Sequence, residues 1–127
     1  MTNLNTKEIL ATDFCDGSEH DFQLFKHGQY AVAYQTCLLA DAGYQGLTKL
    51  HPNSQTPAKK SKLHPLSQEQ KASNRVLSRK RILIENIIRR LKIFRILSER
   101  YRNRRKRFGL RFNLIAAICN MELKTTL

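Results

Sequence analysis

Carboxylates are scarce in this chain: ten Asp and Glu stand against 23 Lys and Arg over 127 residues, giving a formal net charge of +13 and a pI near 10.2. That balance excludes an acidic or charge-neutral surface and points to a polyanionic partner, either nucleic acid or an anionic membrane surface. No run approaches eighteen uncharged apolar residues, so a transmembrane helix is excluded. The N-terminal MTNLNTKEIL lacks the basic-then-apolar order of a signal peptide, which predicts a cytoplasmic protein. Cys15, Cys37 and Cys119 are odd in number and show no C-x-x-C spacing. A disulfide framework and a structural zinc site are therefore not indicated, and small core filler is the default role for a cysteine. His20, His27, His51 and His64 are too scattered to suggest metal ligation. With 41% hydrophobic residues, the chain has enough apolar content for a modest core in one domain at most, or for a piece of something larger.

What the sequence does have is one long basic stretch, Ser67 to Tyr101, SQEQKASNRVLSRKRILIENIIRRLKIFRILSERY. Val76, Leu77, Leu83, Ile84, Ile87, Ile88, Leu91, Phe94 and Leu97 recur at three- and four-residue steps, which predicts a single long amphipathic helix. Ser67 followed three residues later by Gln70 is a capping-box pattern, and Pro65 lies just upstream, so the helix is expected to begin near Ser67. From Lys71 to Arg107 there are fifteen Lys or Arg and two acids, Glu85 and Glu99. At about 100° per residue Glu85 lies at the edge of the apolar stripe, with Arg81 one turn before it, Arg89 one turn after and Lys92 two turns after. Two readings compete. One is a pair of surface ion pairs, each worth a few tenths of a kcal/mol. The other is a metal ligand beside a phosphate-binding surface. Spacing alone favours the ion pairs, and the metal reading requires a second carboxylate.

Along the rest of the chain, Lys7–Cys15 mixes β-branched and apolar residues over a strand's length and predicts a strand. Ser18 with Asp21 is a second capping pattern and Gly28 a natural stop, predicting a short helix near Glu19–His27 with Phe22 and Phe25 inward. Asp21 reads as structural, and His20 stays open between a structural and a catalytic role. Gln29–Gln35 is a loop or a weak strand. Cys37–Ala40 is a continuous apolar run, as in a strand buried on both faces, and it ends in Asp41 followed by Gly43 and Gly46. A carboxylate at such a strand end is a usual site position in an α/β sheet, although an aspartate opening an ordinary turn has the same appearance. Residues 47–66 hold all three prolines together with Lys49, Lys59, Lys60 and Lys62 and read as a basic loop, either a solvated linker or a DNA-contacting loop. Arg102–Arg107 is a dense cationic patch. A closing helix is expected to turn Leu110, Leu114, Ile115 and Ile118 inward, with Lys124–Leu127 a frayed tail.

The segments GSEHDFQLFK and LLADAGYQG, then Arg81, Glu85 and Lys92 on the long helix, then RYRNRRKRFGLRFNLIAAICN, together resemble the DDE transposases of bacterial insertion sequences, in the branch allied to Harbinger-type nucleases. ADxGYxG followed by R-x3-E-x6-K is specific in combination, and the likeness runs from about Lys7 to Leu123. It implies an α/β fold resembling RNase H, a mixed sheet with flanking helices, here N-terminally truncated and ending in a long basic helix and a short closing helix. Residues 1–127 would be the C-terminal part of a catalytic domain. Within it, 7–46 would carry the second acid, 47–66 the basic loop, 67–101 the helix with the third acid, and 102–127 the basic patch and closing helix. By the same resemblance Asp41 and Glu85 are the second and third members of an acidic triad that binds two divalent cations, Mg²⁺ or Mn²⁺, with Arg81 and Lys92 as basic companions. The strand bearing the first acid would lie upstream of Met1, and Ser78 stands where the family expects Tyr.

These expectations give a transposase that cleaves and transfers DNA strands, or a truncated fragment of one whose own activity is lost. Its partners would be element ends and target DNA rather than a membrane, with a second copy or an upstream transposase fragment as further candidates. The DNA-binding residues would be Lys59, Lys60, Lys62, Arg81, Arg89, Lys92, Arg102, Arg104, Arg105, Lys106 and Arg107. The alternatives are a small basic nucleic-acid-binding protein without enzymatic activity and a surface-bound amphipathic helix, the latter motivated by Ile82, Ile93 and Ile96 lying off the main stripe. A cation shared by Asp41 and Glu85 requires both carboxylates within a few ångströms of it.

Overall fold

A computed structural model describes residues 1–99 and 105–126. The chain forms helices and one small parallel sheet, arranged as two compact units. One unit comprises Cys15–Arg79, the other Met1–Phe14 together with Lys80–Leu127. The elements are α1 (Asp21–His27), β1 (Leu38–Leu39), β2 (Ser54–Gln55), α2 (Gln68–Lys92), α3 (Arg95–Ser98) and α4 (Phe108–Thr125), with 3₁₀ turns at Leu47–Lys49 and Arg105–Arg107. α2 passes from the first unit into the second between Arg79 and Lys80.

In the unit Cys15–Arg79, β1 pairs in parallel with β2, Leu38 opposite Ser54 and Leu39 opposite Gln55. The N–H groups of Leu38 and Ala40 donate to the carbonyls of Asn53 and Gln55 at 2.9 and 3.0 Å. Parallel strands need a crossover between them, and residues 40–53 supply one through the Leu47–Lys49 turn. Leu47 is 2% exposed and anchors that crossover. Within Cys37–Ala40 the strand is confined to Leu38–Leu39, half-buried rather than buried on both faces, with Cys37 exposed. The basic loop is likewise more ordered than its composition implies, because Ser54–Gln55 completes the sheet. α1 ends at Gly28 as expected, its N–H reaching the Leu24 carbonyl at 2.9 Å. Ser18 does not cap it. Asp16 and Glu19 close a turn that leaves His20 at the N-cap, with no side-chain capping bond. Phe22 and Phe25 do pack inward, their rings 5.5 and 6.2 Å from that of Tyr44.

α2 starts where the capping box places it. Ser67 N–H donates to Gln70 Oε1 at 3.0 Å and Gln70 N–H to Ser67 Oγ at 3.2 Å, so two otherwise unpaired donors are satisfied reciprocally. The helix is shorter than its apolar pattern predicts and stops at Lys92. Ile93 N–H reaches back only to Arg90, Phe94 takes an extended conformation at ψ 113, and α3 begins at Arg95. Neither Pro nor Gly marks this break. Its physical reason is packing: Leu91, Phe94, Ile96 and Leu97 all lie against the core of the second unit, and tertiary contact overrides the helical pattern.

That core consists of Ile9, Ile87, Ile115, Ala116 and Cys119. α4 is eighteen residues long rather than short, and it is ordered through Thr125, so the expected frayed tail is helical up to that residue. Its inward face is Ile115, Ala116 and Cys119. Leu110, Leu114 and Ile118, expected to point inward, are exposed, as is Met121. Lys7–Cys15 is not a strand: one antiparallel bridge joins Thr2 to Ile9, and Lys7 turns at φ 61. The segment is instead held by Asn120, whose Nδ2 donates to the Ile9 carbonyl at 2.9 Å while its Oδ1 accepts the Ile9 N–H at 2.8 Å. Among the described residues no helix is long and apolar enough to cross a membrane.

Asn120→Ala is expected to destabilise the chain by about 2 kcal/mol, since it strands a partly buried N–H and C=O at Ile9. Urea denaturation checks this, and an unchanged midpoint would mean that the pair does not hold the N-terminal segment. Ser67→Ala should cost about 1 kcal/mol through loss of the cap, read by the same measurement.

Candidate nucleic-acid interface

Asp41 lies one residue past the last sheet hydrogen bond. Its Oδ1 accepts the Gly43 N–H at 2.6 Å, and its carbonyl accepts the Tyr44 N–H at 3.0 Å. The side chain thus closes a turn on its own backbone. Gly46, at φ 90, takes the left-handed conformation that lets the chain swing into the following 3₁₀ turn. Tyr44, held between Phe22 and Phe25, has its pKa raised by burial first, then by the negative charges of Asp21, Asp41 and Cys15.

Glu85 is exposed, with Oε1 3.1 Å from Arg81 Nε. Both side chains are more than half exposed, so the pair contributes a few tenths of a kcal/mol at most. Asp41 belongs to the unit Cys15–Arg79 and Glu85 to the other. Among the described residues no three His, Cys, Asp or Glu gather into a set able to hold a metal ion. A two-cation centre needs several anionic oxygens, whereas Asp41 is engaged by Gly43 and Glu85 by Arg81. The donors described do not fit such a centre. His51 is also structural: it is buried, its Nε2 lies 2.6 Å from the Thr36 carbonyl, and its ring stacks on Tyr34.

The cations divide into two groups. Arg81 pairs with Glu85 and Arg95 with Glu99, and Arg90 joins Glu122 at 3.1 Å while also donating to the Cys119 carbonyl. Among the described residues no carboxylate pairs with Lys59, Lys60, Lys62, Lys71, Arg75, Arg79, Arg89, Lys92, Lys106 or Arg107. Arg102 and Arg104 lie outside the described residues, and for Arg105 only the backbone, at the start of its 3₁₀ turn, is described. Lys71, Arg75 and Arg79 were not among the binding residues expected from sequence, although their i, i+4, i+8 spacing without a partner acid was a readable signal. Asn74, between them, grips the basic loop: its Oδ1 accepts the Ala58 N–H at 2.9 Å and its Nδ2 donates to the Ala58 carbonyl at 3.0 Å.

Residues 1–120 match the family described as Transposase DDE domain. The chain is 52% identical over 118 residues to a protein of Microchaete diplosiphon described as "Probable transposase for insertion sequence element IS702". The match covers 93% of this chain and 43% of that protein, so the chain spans less than half the length of the curated relative it matches. No solved structure matches.

The turn at Asp41 has a measurable consequence. Since Asp41 helps to hold Tyr44 neutral, Asp41→Asn should lower the Tyr44 pKa toward the ordinary tyrosine range, seen as an earlier phase in an ultraviolet tyrosinate titration. A folded-state pKa raised above the unfolded value contributes stability below the unfolded pKa and loses it as pH rises through the folded one. Stability is therefore expected to fall on the alkaline side of the tyrosine range, and less steeply in Asp41→Asn. Identical titrations for the two proteins would remove the contact.

Proposed function

The chain belongs to the Transposase DDE domain family, and from that membership we propose that it serves the transposition of an insertion sequence by binding DNA as part of an RNase H-like catalytic domain. The observation that carries this reading is the match across residues 1–120. The cations without a carboxylate partner among the described residues support it, since phosphate neutralisation supplies most of the affinity in sequence-independent DNA binding. A small basic binding protein unconnected with transposition is disfavoured by the same match.

Within this proposal Asp41 and Glu85 are the second and third acids of the family's triad, with Arg81 and Lys92 beside Glu85. The family generally uses divalent metal, and Mg²⁺ or Mn²⁺ is the proposed ion. The described donors do not make up its site, so no chemical step is assigned to these residues through it. DNA binding is assigned to the chain itself. Strand cleavage and joining are assigned to an assembly with a fuller carboxylate set, for which a second copy or an upstream segment of the element is the candidate partner.

The experiment measures binding to duplex element-end DNA by fluorescence anisotropy across a salt series, together with cleavage in Mg²⁺ or Mn²⁺. Binding without cleavage is expected, with log K falling by about 0.9 per neutralised phosphate for each decade of salt. Glu85→Gln should strengthen that binding slightly, because it frees Arg81. Metal-dependent cleavage by the chain alone, abolished by Glu85→Gln, would overturn the assignment of cleavage to a larger assembly.

A further inference from the structure

We infer that the first half of α2, with Leu66 before it, forms a groove for the phosphate backbone of duplex DNA, that the lysine segment pinned to Asn74 extends this binding surface, and that residues other than Arg81, Arg89 and Lys92 build it. This inference rests on the DNA-binding reading above and names the surface responsible. The groove has a volume of about 460 Å³ and is lined by Leu66, Lys71, Asn74, Arg75, Ser78 and Arg79. At a rise of about 1.5 Å per residue, Lys71, Arg75 and Arg79 stand roughly 6 Å apart along one side of the helix. Each strand of a B-DNA duplex carries a charge every 3.4 Å or so of its axis, so a row of this length spans several phosphates.

Charge availability separates this row from Arg81 and Arg90 of the same helix, and Arg89 and Lys92 share its lack of a carboxylate partner among the described residues. Arg81 and Arg90 are held by Glu85 and Glu122, whereas Lys71, Arg75 and Arg79 have no acidic partner among the described residues. The lysine segment is ordered against the same helix. Asn74 pins Ala58 by two hydrogen bonds, and Lys59 and Lys60 follow directly. Ser61 and His64 then close a turn around Lys62, with Ser61 N–H reaching the His64 carbonyl at 3.3 Å and His64 N–H reaching Ser61 Oγ at 2.9 Å. Preorganisation of this kind lowers the ordering cost of each phosphate contact.

The polar side chains of the groove are largely committed. The amide of Asn74 is taken up by Ala58, and Ser78 Oγ donates to the Asn74 carbonyl at 2.9 Å. Apart from the second N–H of the Asn74 amide, the donors left are cationic side chains, which suit a phosphate backbone and carry no base code of their own. Asn74 acts here as a positioning residue that holds Lys59, Lys60 and Lys62 beside the helix row.

The test uses the full chain and two duplexes of unrelated sequence, with anisotropy read across a salt series. The triple variant Lys71→Gln, Arg75→Gln, Arg79→Gln should bind both duplexes equally weakly, with the salt slope reduced by roughly 2 to 3. Glutamine keeps helix propensity high, and far-ultraviolet circular dichroism confirms that α2 persists. Asn74→Ala removes no charge, yet it should weaken binding in the wild-type background and have no further effect when Lys59, Lys60 and Lys62 are already Gln. Wild-type affinity and slope in the triple variant would overturn the groove, and a loss confined to one duplex would overturn backbone binding in favour of base reading. An additive effect of Asn74→Ala on the lysine variant would overturn its positioning role. If the unaltered chain fails to bind either duplex, the DNA-binding reading falls and the groove with it, an outcome distinct from the others.

Discussion

The scarcity of acid along α2 and beyond is the constraint to which the rest of the structure answers. A helix so rich in Lys and Arg repels itself, and the few carboxylates placed near it decide which cations become structural. Glu122 takes Arg90, which also donates to the Cys119 carbonyl of α4, and so ties α2 to its neighbour. Glu85 takes Arg81 on an exposed face, where the pair adds little stability but lowers the charge available to a ligand. Among the described residues no acid lies at pairing distance from the cations of the earlier part of the helix, and these remain available for phosphate.

Core size explains much of the remaining architecture. Five side chains form the main cluster, and large apolar residues such as Leu83, Ile88, Leu110 and Leu114 stay exposed. A core this small gains by drawing in Phe94 and Leu97, each partly buried and so contributing a fraction of the about 1.5–3 kcal/mol of full burial, and the break after Lys92 lets it do so. Losing a few helical hydrogen bonds at the break costs less, because water satisfies exposed backbone groups there. The same shortage of core makes the Asn120 clamp on Ile9 important, since it fixes a segment that buries little apolar surface of its own.

Local chemistry was largely legible in the sequence, the Ser18 cap excepted, whereas tertiary choice was legible in few places, such as the packing of Phe22 and Phe25. Ser67 with Gln70, the stop at Gly28 and the turn opened by Asp41 each depend on groups within four residues of one another, so spacing alone carries them. β2 was missed because Ser54–Gln55 has no apolar alternation; it exists through pairing with Leu38–Leu39 across a crossover. The inward face of α4 was assigned correctly at Ile115 and wrongly at Leu110, Leu114 and Ile118 for a related reason. Leu110, Leu114, Ile115, Ala116, Ile118, Cys119 and Met121 surround the helix, so periodicity is weak and contact with Ile9 and Ile87 selects Ile115, Ala116 and Cys119. The ion-pair reading of Glu85 and the turn reading of Asp41 both describe contacts that the carboxylates make, while their proposed roles in catalysis depend on donors beyond those contacts.

This difference bears on how a basic segment of a catalytic family divides its tasks. Carboxylates that hold divalent cations have to converge from several elements, so they depend on long-range placement. Phosphate binding makes no such demand, because one helix with cations at every fourth residue and a clamped loop beside it already matches a polyanion. The Asn74 amide, which clamps Ala58 by two hydrogen bonds, is the side chain that turns a linker of lysines into part of that surface. Binding can therefore reside in local structure around α2, whereas cutting depends on how carboxylates from separate elements are gathered.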